Sequence, residues 1–435
     1  MTETNDASGE QNTLEEIYSR VTCRLIPLLM SGYMVAYANR VNVGFAKLQM
    51  LDDLGFNDAV YGLGAGVFFI GYFLFEVPSN LILNRVGARR WLARIMISWG
   101  ILSGAMIFVR SSSMFYVLRF LLGAAEAGFF PGVIFYLTQW YPAARRGRVI
   151  SLFMASVPIC NVVGSLVAGV VMKCMNGTSG LAGWQWLFIV EGTPAILLGI
   201  GLLFLLTNDI QSASWLTEVE KARLVAKLQR GDSGKQVSSF VTAVQDGRLW
   251  HGCVVYFLLV LGLYGIGFWL PTIIVDSGVL NLSHVGMLTA IPYAVATIGM
   301  LAVGASADIR RERVWHLAVP AALGSLGLAC SVWVSGGAAA TVVALSLATF
   351  GVITAVALFW SLPTTYLTAS AAAGGIAVIN SFGNLAGFLG PYLMGWMKDR
   401  NGSTDSGVYI IASAVLLAAA LVVAGSTSSR PGKVV

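Results

Sequence analysis

Charge is what this chain has least of. Only 11% of its 435 residues are Asp, Glu, Lys or Arg, against 57% hydrophobic, whereas a soluble domain carries about 25% charged residues. So few charges cannot cover a globular surface, which excludes an ordinary soluble domain and indicates a multi-pass protein of the lipid bilayer. Histidine is also scarce. His251, His284 and His316 fall near the ends of apolar stretches, far apart in sequence, and no Cys/His metal spacing, phosphate loop or nucleophile motif occurs. No metal, no cofactor and no enzyme activity are expected. Of five cysteines, Cys23, Cys160, Cys253 and Cys330 lie in or beside apolar segments and only Cys174 falls in a loop, so no disulfide framework is indicated. The N-terminal stretch "MTETNDASGEQNTLEEIYSR" lacks a signal-peptide pattern. The first apolar segment is therefore expected to act as both address and anchor. The net charge of +6 sits in short loops, where it reports topology rather than nucleic-acid binding.

What is abundant is apolar sequence punctuated by glycine, with 49 Gly in all, as in packed membrane helices where small residues let backbones approach. Crossing the hydrocarbon takes about 20 apolar residues as a helix. Twelve such spans are predicted, at 22–48, 58–84, 91–110, 114–140, 149–173, 187–206, 249–275, 284–307, 314–335, 338–368, 374–398 and 407–427. The fold class is all-α, a membrane protein of two six-helix bundles (22–206 and 249–427) with tails at 1–21 and 428–435. The connector at 207–248 is the one long polar break. Within it Trp215, Leu216, Val219, Leu224 and Leu228 recur at helical spacing, and Ser214 or Thr217 is placed to cap an amphipathic helix. Basic clusters at 84–94, 144–148 and 308–313 face loops at 50–58 and 176–184 that have almost no Lys or Arg. By the positive-inside rule both tails and the connector are cytoplasmic.

The halves repeat. "NLILNRVGARR" follows span two and "GASADIRRERV" follows span eight; aligning Asn80 with Gly304 puts Asn84 on Asp308, and Gly87 has no glycine counterpart. Such duplication marks transporter bundles. With this topology and repeat the chain resembles the major facilitator superfamily, whose signature loop is matched at Asn84, Arg85, Gly87, Arg89 and Arg90. Asn80 stands where that family has Gly and Asn84 where it has Asp. The resemblance implies that this loop, with Asp308, forms a cytoplasmic latch between the halves, and that Asn84 weakens its charge pairing. The plain alternative is that these arginines only set orientation.

Five ionisable residues lie inside spans: Arg40, Glu76, Arg119, Glu126 and Glu191. An Arg at mid-span costs about 2.5–3.5 kcal/mol by insertion scales, so each needs a partner or water. Arg119 and Glu126 are seven residues apart and so share a helix face, but lie about 10 Å apart along the axis, too far to bond directly. Arg40 on span one is the expected companion. Two buried arginines with one acid between them favour a site for an incoming anion held by guanidinium–carboxylate bonds; the alternative is a closed structural network. Glu126, a carboxyl in an apolar bundle, is placed to carry a proton whose affinity responds to what the arginines hold. Glu76 and Glu191 are read as structural.

The stretches "YANRVNVGFAK", "FFIGYFLFEVPSN", "RFLLGAAEAGFFPG", "GWQWLFIVEG" and "NSFGNLAGFLGP" are similar to one branch of that superfamily, the anion:cation symporter family. The resemblance implies that Arg40 and Arg119 hold a substrate carboxylate. Tyr37 and Tyr72 would line the site, Trp360, Asn380 and Asn384 would meet the substrate's polar end, and Glu126 would carry the proton. Where bacterial members have an ionisable Asp beside the first arginine, this chain has Asn39, so coupling is left to Glu126 or is altered. The expected partners are a small organic anion, protons and lipid. The expected function is proton-coupled import of a sugar acid or tartrate by a monomer in a bacterial inner membrane. An aromatic carboxylate is the alternative cargo, and a non-transporting sensor or channel the alternative class.

Overall fold

The computed structural model describes residues 2–232, 245–333, 337–363 and 369–428. The ends of spans nine and ten as drawn above, part of the connector and the C-terminal tail lie outside the described residues. Among those described there are helices and turns and no strand. In chain order the first half holds α1 (Thr2–Val41), α2 (Val43–Leu54), α3 (Asp58–Val86), α4 (Ala88–Ala105), α5 (Ser112–Glu126) and α6 (Phe129–Thr138). It continues with α7 (Ala143–Met154), α8 (Ser156–Cys174) and α9 (Gly183–Leu205). The connector carries α10 (Glu218–Asp232), and the second half holds α11 (Gly247–Asp276), α12 (Leu282–Arg310), α13 (Val314–Trp333), α14 (Ala338–Phe359), α15 (Ala369–Asn401) and α16 (Asp405–Ser428). Among the described residues eleven helical segments, from Leu14–Leu54 to Asp405–Gly425, are long and apolar enough to cross a membrane. The 33-residue α15 stands at the place of the remaining expected span. Large apolar side chains such as Phe108, Leu197, Phe204, Ile298 and Leu301 are more than half exposed, as lipid-facing surfaces require.

The spans are less continuous than their hydropathy. Span four divides into α5 and α6 after Glu126, where Gly128 takes φ +88°; only glycine adopts that conformation without steric cost. Pro131 lies in the first turn of α6, where its missing N–H has no helical partner to lose. Span one has a milder interruption at Asn42, one residue past the end of α1, and Arg40 sits in the last turn of that helix. Both buried charges of opposite sign therefore lie beside helix interruptions.

The halves meet along α3 against α15, α8 against α12, and α2 against α11. The approach is closest at the end of the molecule away from the basic loops. A Cβ on Gly62 would come 2.5 Å from the Pro391 carbonyl, one on Gly169 2.6 Å from that of Leu282, and one on Gly44 2.7 Å from that of Phe268. Lys47 is buried there, its Nζ 2.6 Å from Asp58 and 3.4 Å from the centroid of Trp269 in the other half. Tyr61 donates to the Phe268 carbonyl at 3.1 Å, and Asn57 to Asp399 at 3.2 Å. Toward the basic-loop end α3 emerges from its packing, and Val77 and Leu81 are more than 60% exposed.

The connector helix exists and rests on the first half. Thr217 is its cap, in a reciprocal pair: the Thr217 N–H donates to Glu220 at 2.9 Å and the Glu220 N–H to Thr217 Oγ1 at 3.3 Å. Trp215 stacks on Trp140 with centroids 5.7 Å apart, Leu224 is buried, and Glu220 pairs with Arg20. The residues read as an N-terminal tail continue the helix of span one, so α1 runs well past the lipid-spanning stretch.

Candidate functional site

Arg40, Arg119 and Glu126 are 6%, 0% and 1% exposed. Burial this deep disfavours an unpaired charge by several kcal/mol, so their partners decide what the cluster is. Arg40 forms an ion pair with Glu126 across α1 and α5, and its second terminal nitrogen donates to the Tyr264 hydroxyl of α11 at 3.1 Å. The guanidinium is ringed by aromatic faces: Tyr72 at 5.0 Å, Phe68 at 5.3 Å, and Tyr37 and Phe69 at 5.9 Å. Cation–π attraction of this kind contributes about 0.5–2 kcal/mol per ring. Arg40 thus joins both halves, because Tyr264 belongs to the second.

Arg119 stands outside that ion pair. Its Nε donates to the Gly64 carbonyl at 3.2 Å and one terminal nitrogen to that of Ala65 at 3.4 Å. Phe68 lies between the two arginines, 4.9 Å from the Arg119 carbon. The other terminal nitrogen of Arg119 is buried with no hydrogen-bond partner among the described residues, and so is the second carboxylate oxygen of Glu126. Buried polar atoms are seldom left this way, and each is a point where a polar group of a ligand fits.

The second-half residues lie one turn nearer the basic loops. Asn380 and Asn384, four apart on α15, donate from their amides to the two oxygens of Glu76 at 3.4 and 3.2 Å. Trp360, just past the end of α14, packs on Tyr256 at 4.8 Å and Phe359 at 5.5 Å. The Tyr256 ring also lies against Gly383, the neighbour of Asn384. Asn39 does not face the cluster: its amide donates to Ser103 of α4, and its carbonyl oxygen is buried without a hydrogen-bond partner among the described residues. Asn42 likewise donates to Glu191 of α9.

The basic loop makes its contacts within its own half. Gly87 takes φ +91° and ends α3. The Arg89 N–H donates to Asn208 at 3.0 Å and its Nε to the Leu203 carbonyl at 2.5 Å. Asn84, Arg85 and Arg90 are exposed, with Asn84 lining a shallow cleft with Asn80, Pro131 and Phe135. Asp308 accepts from Arg313 of its own loop at 2.6 Å, and no contact joins it to Asn84 among the described residues.

Sequence reasoning missed Tyr264, Phe68, Tyr256 and the partnership of Glu76. The first three read as ordinary apolar-span aromatics, without a local signal. For Glu76 the signal was present, since it follows Tyr72 by one helical turn on the same face.

The sequence profile of the Major Facilitator Superfamily matches residues 29–391. The chain belongs to the Major Facilitator Superfamily. It is therefore a multi-pass membrane transporter, in a family of transporters rather than enzymes. NicT of Pseudomonas putida, named as a metabolite transport protein, is 48% identical over 410 residues, covering 94% of each chain. A protein of Agrobacterium vitis named as a candidate tartrate transporter is 45% identical over 421 residues, covering 96% of this chain and 93% of its own. Among solved structures, a bacterial homologue of the human lysosomal transporter Spinster superposes with TM-score 0.76 at 16% identity, covering 93% of this chain and 96% of that one. At that identity the likeness concerns the major facilitator fold alone.

Proposed function

We propose that this transporter imports an organic carboxylate with a proton, by rocking its two halves around the Arg40–Glu126 cluster. The observation that carries the reading is the pairing of these two charges at the meeting of the halves, with an unpartnered Arg119 nitrogen and Glu126 oxygen beside them. One guanidinium cannot fully serve two carboxylates in a dry site. A substrate carboxylate docking on Arg119 and Arg40 competes with Glu126, and Glu126 is then better accommodated carrying a proton. Substrate and proton are thereby linked through a shared charge. Tyr37 and Tyr72 line the site by holding the Arg40 face, and Asn380, Asn384 and Trp360 present the second half's polar and aromatic wall. The relative named for tartrate supports a carboxylate cargo.

The basic-loop clusters support an orientation with both termini cytoplasmic; a latch formed by Asn84, Arg85, Gly87, Arg89, Arg90 and Asp308 belongs to a state in which the halves close at that end, since here Arg89 and Asp308 bond to neighbours on their own side. A second reading, an aromatic carboxylate, is favoured by the four rings around Arg40.

Counterflow in proteoliposomes tests the proposal. Tartrate, a sugar acid and benzoate are offered against a preloaded pool of the same compound. Exchange of at least one, abolished when Arg40 and Arg119 are both replaced by Gln, is the expected result. If no carboxylate exchanges, or if the double variant exchanges as well as the parent, the reading fails.

A further inference from the structure

We propose that Glu76 is a specificity-determining residue that selects hydroxyl groups on the transported anion. This rests on the carboxylate reading above and names the part of the molecule that reads the rest of the substrate.

Glu76 shares one wall with the charge cluster. It lies four residues after Tyr72 on α3, and Tyr72 in turn covers Arg40. Its side chain reaches across to the other half, one oxygen to Asn380 and one to Asn384. Those bonds, at 3.4 and 3.2 Å, are at or beyond the long end of the usual range for N–H···O. No Lys or Arg forms an ion pair with Glu76 among the described residues. Its carboxyl is held by two neutral amides, each loosely, in the span where the halves separate.

An ionised carboxylate only accepts hydrogen bonds, and a hydroxyl both donates and accepts. A hydroxyl inserted between Glu76 and the amides of Asn380 and Asn384 satisfies both sides: it donates to the acid and accepts from an amide. A methylene or a ring edge leaves the acid and two amides unpaired, and sites built to bond a substrate hydroxyl discriminate strongly against analogues lacking it. The substrate's carboxylate thus lies toward Arg40 and Arg119 and its hydroxyls toward Glu76.

The test compares gluconate with hexanoate, which has the same six-carbon chain without hydroxyls, by ligand-induced thermal shift and by competition for binding to the purified full-length protein. The parent is expected to bind gluconate at least about tenfold more tightly than hexanoate. In Glu76→Leu that ratio is expected to fall close to one, through loss of gluconate affinity and not through gain for hexanoate. The near-isosteric Glu76→Gln keeps an acceptor and is expected to fall between; it also serves if the leucine variant does not fold. A ratio unchanged in both variants overturns the assignment of Glu76 while leaving carboxylate transport standing. A parent that binds hexanoate as well as gluconate overturns it too. If neither acid binds the parent, and counterflow finds no carboxylate, the carboxylate reading falls and takes this inference with it.

Discussion

At the residue scale the controlling fact is that a guanidinium and a carboxylate share a dry place. Removing one member strands the other, which costs about 3–5 kcal/mol, while removing both is far less damaging. Arg40→Leu is therefore expected to lower the thermal stability of the detergent-solubilised protein sharply, and the double variant Arg40→Leu/Glu126→Leu to recover most of the loss. Equal destabilisation by both would mean that the pair is not the relevant unit. For coupling, Glu126→Gln is expected to abolish uptake driven by a proton gradient while leaving gradient-free exchange in place. Retained gradient-driven accumulation would remove Glu126 from the coupling role. Asn39 tests the same question from its neighbour. Its amide donates to Ser103, so Asn39→Asp puts a titratable group one residue from Arg40 and reverses that hydrogen bond. A changed pH dependence of uptake is expected, and identical profiles in the two forms would refute a coupling role for this position.

At the scale of elements, corresponding helices of the two halves both end on a residue of positive φ, Gly87 in an extended conformation and Arg311 in the left-handed helical one. The alignment that pairs Asn80 with Gly304 pairs Gly87 with Arg311. Both take positive φ, +91° and +52°, at the ends of α3 and α12. Arg311 pays for the conformation in strain, about 1–2 kcal/mol for a residue with a Cβ. Gly87→Ala is expected to be destabilising by at least about 1 kcal/mol, because its Cβ would also come 2.8 Å from Asn208. Arg311→Gly is expected to be neutral to mildly stabilising. Thermal unfolding of the two variants checks the asymmetry. The connector helix gives a pH test outside the lipid. The Thr217 backbone N–H, helped by Arg20, holds the Glu220 carboxyl below the usual glutamate range. A depressed value means that its contribution is complete above that range and is lost as pH falls through the lowered value. The protection of residues 218–228 against hydrogen exchange, relative to the intrinsic rate at each pH, is expected to fall at acid pH and to be low already at neutral pH in Glu220→Gln. Protection unchanged by either would show that the cap does not anchor the helix.

At the scale of the whole molecule, the halves are pressed together at one end and part toward the other. Glycine faces at Gly62, Gly66 and Gly169 let backbones touch, and the Lys47 ammonium against Trp269 adds a charge-bearing seal. If alternating access requires this end to open, cysteines at positions 57 and 399, where Asn57 donates to Asp399, are expected to crosslink in a background cleared of Cys23 and Cys174. Transport is then expected to stop until the bond is reduced. Uninterrupted exchange in the crosslinked protein would show that the two halves do not separate there.

Much of this was legible in the chain because membrane insertion imposes strong rules. A run of about 20 apolar residues is a span, basic loops mark one side, and a buried Arg or Glu is conspicuous against its surroundings. The all-helical run of spans, the connector helix and the buried positions of Arg40, Arg119 and Glu126 all follow from composition along one dimension. The break after Glu126 was written there as well, in Gly128 followed by Pro131, but a hydropathy run hides it. Helix periodicity also pointed to Arg40 rather than Arg119 as the partner of Glu126, and the structure pairs them. That Asn39 turns toward Ser103, and that Glu76 reaches Asn380 and Asn384 from the opposite half, depend on how helices cross. Contacts between residues as far as 308 positions apart are set by glycine-permitted approach of backbones, which has no signature in local order.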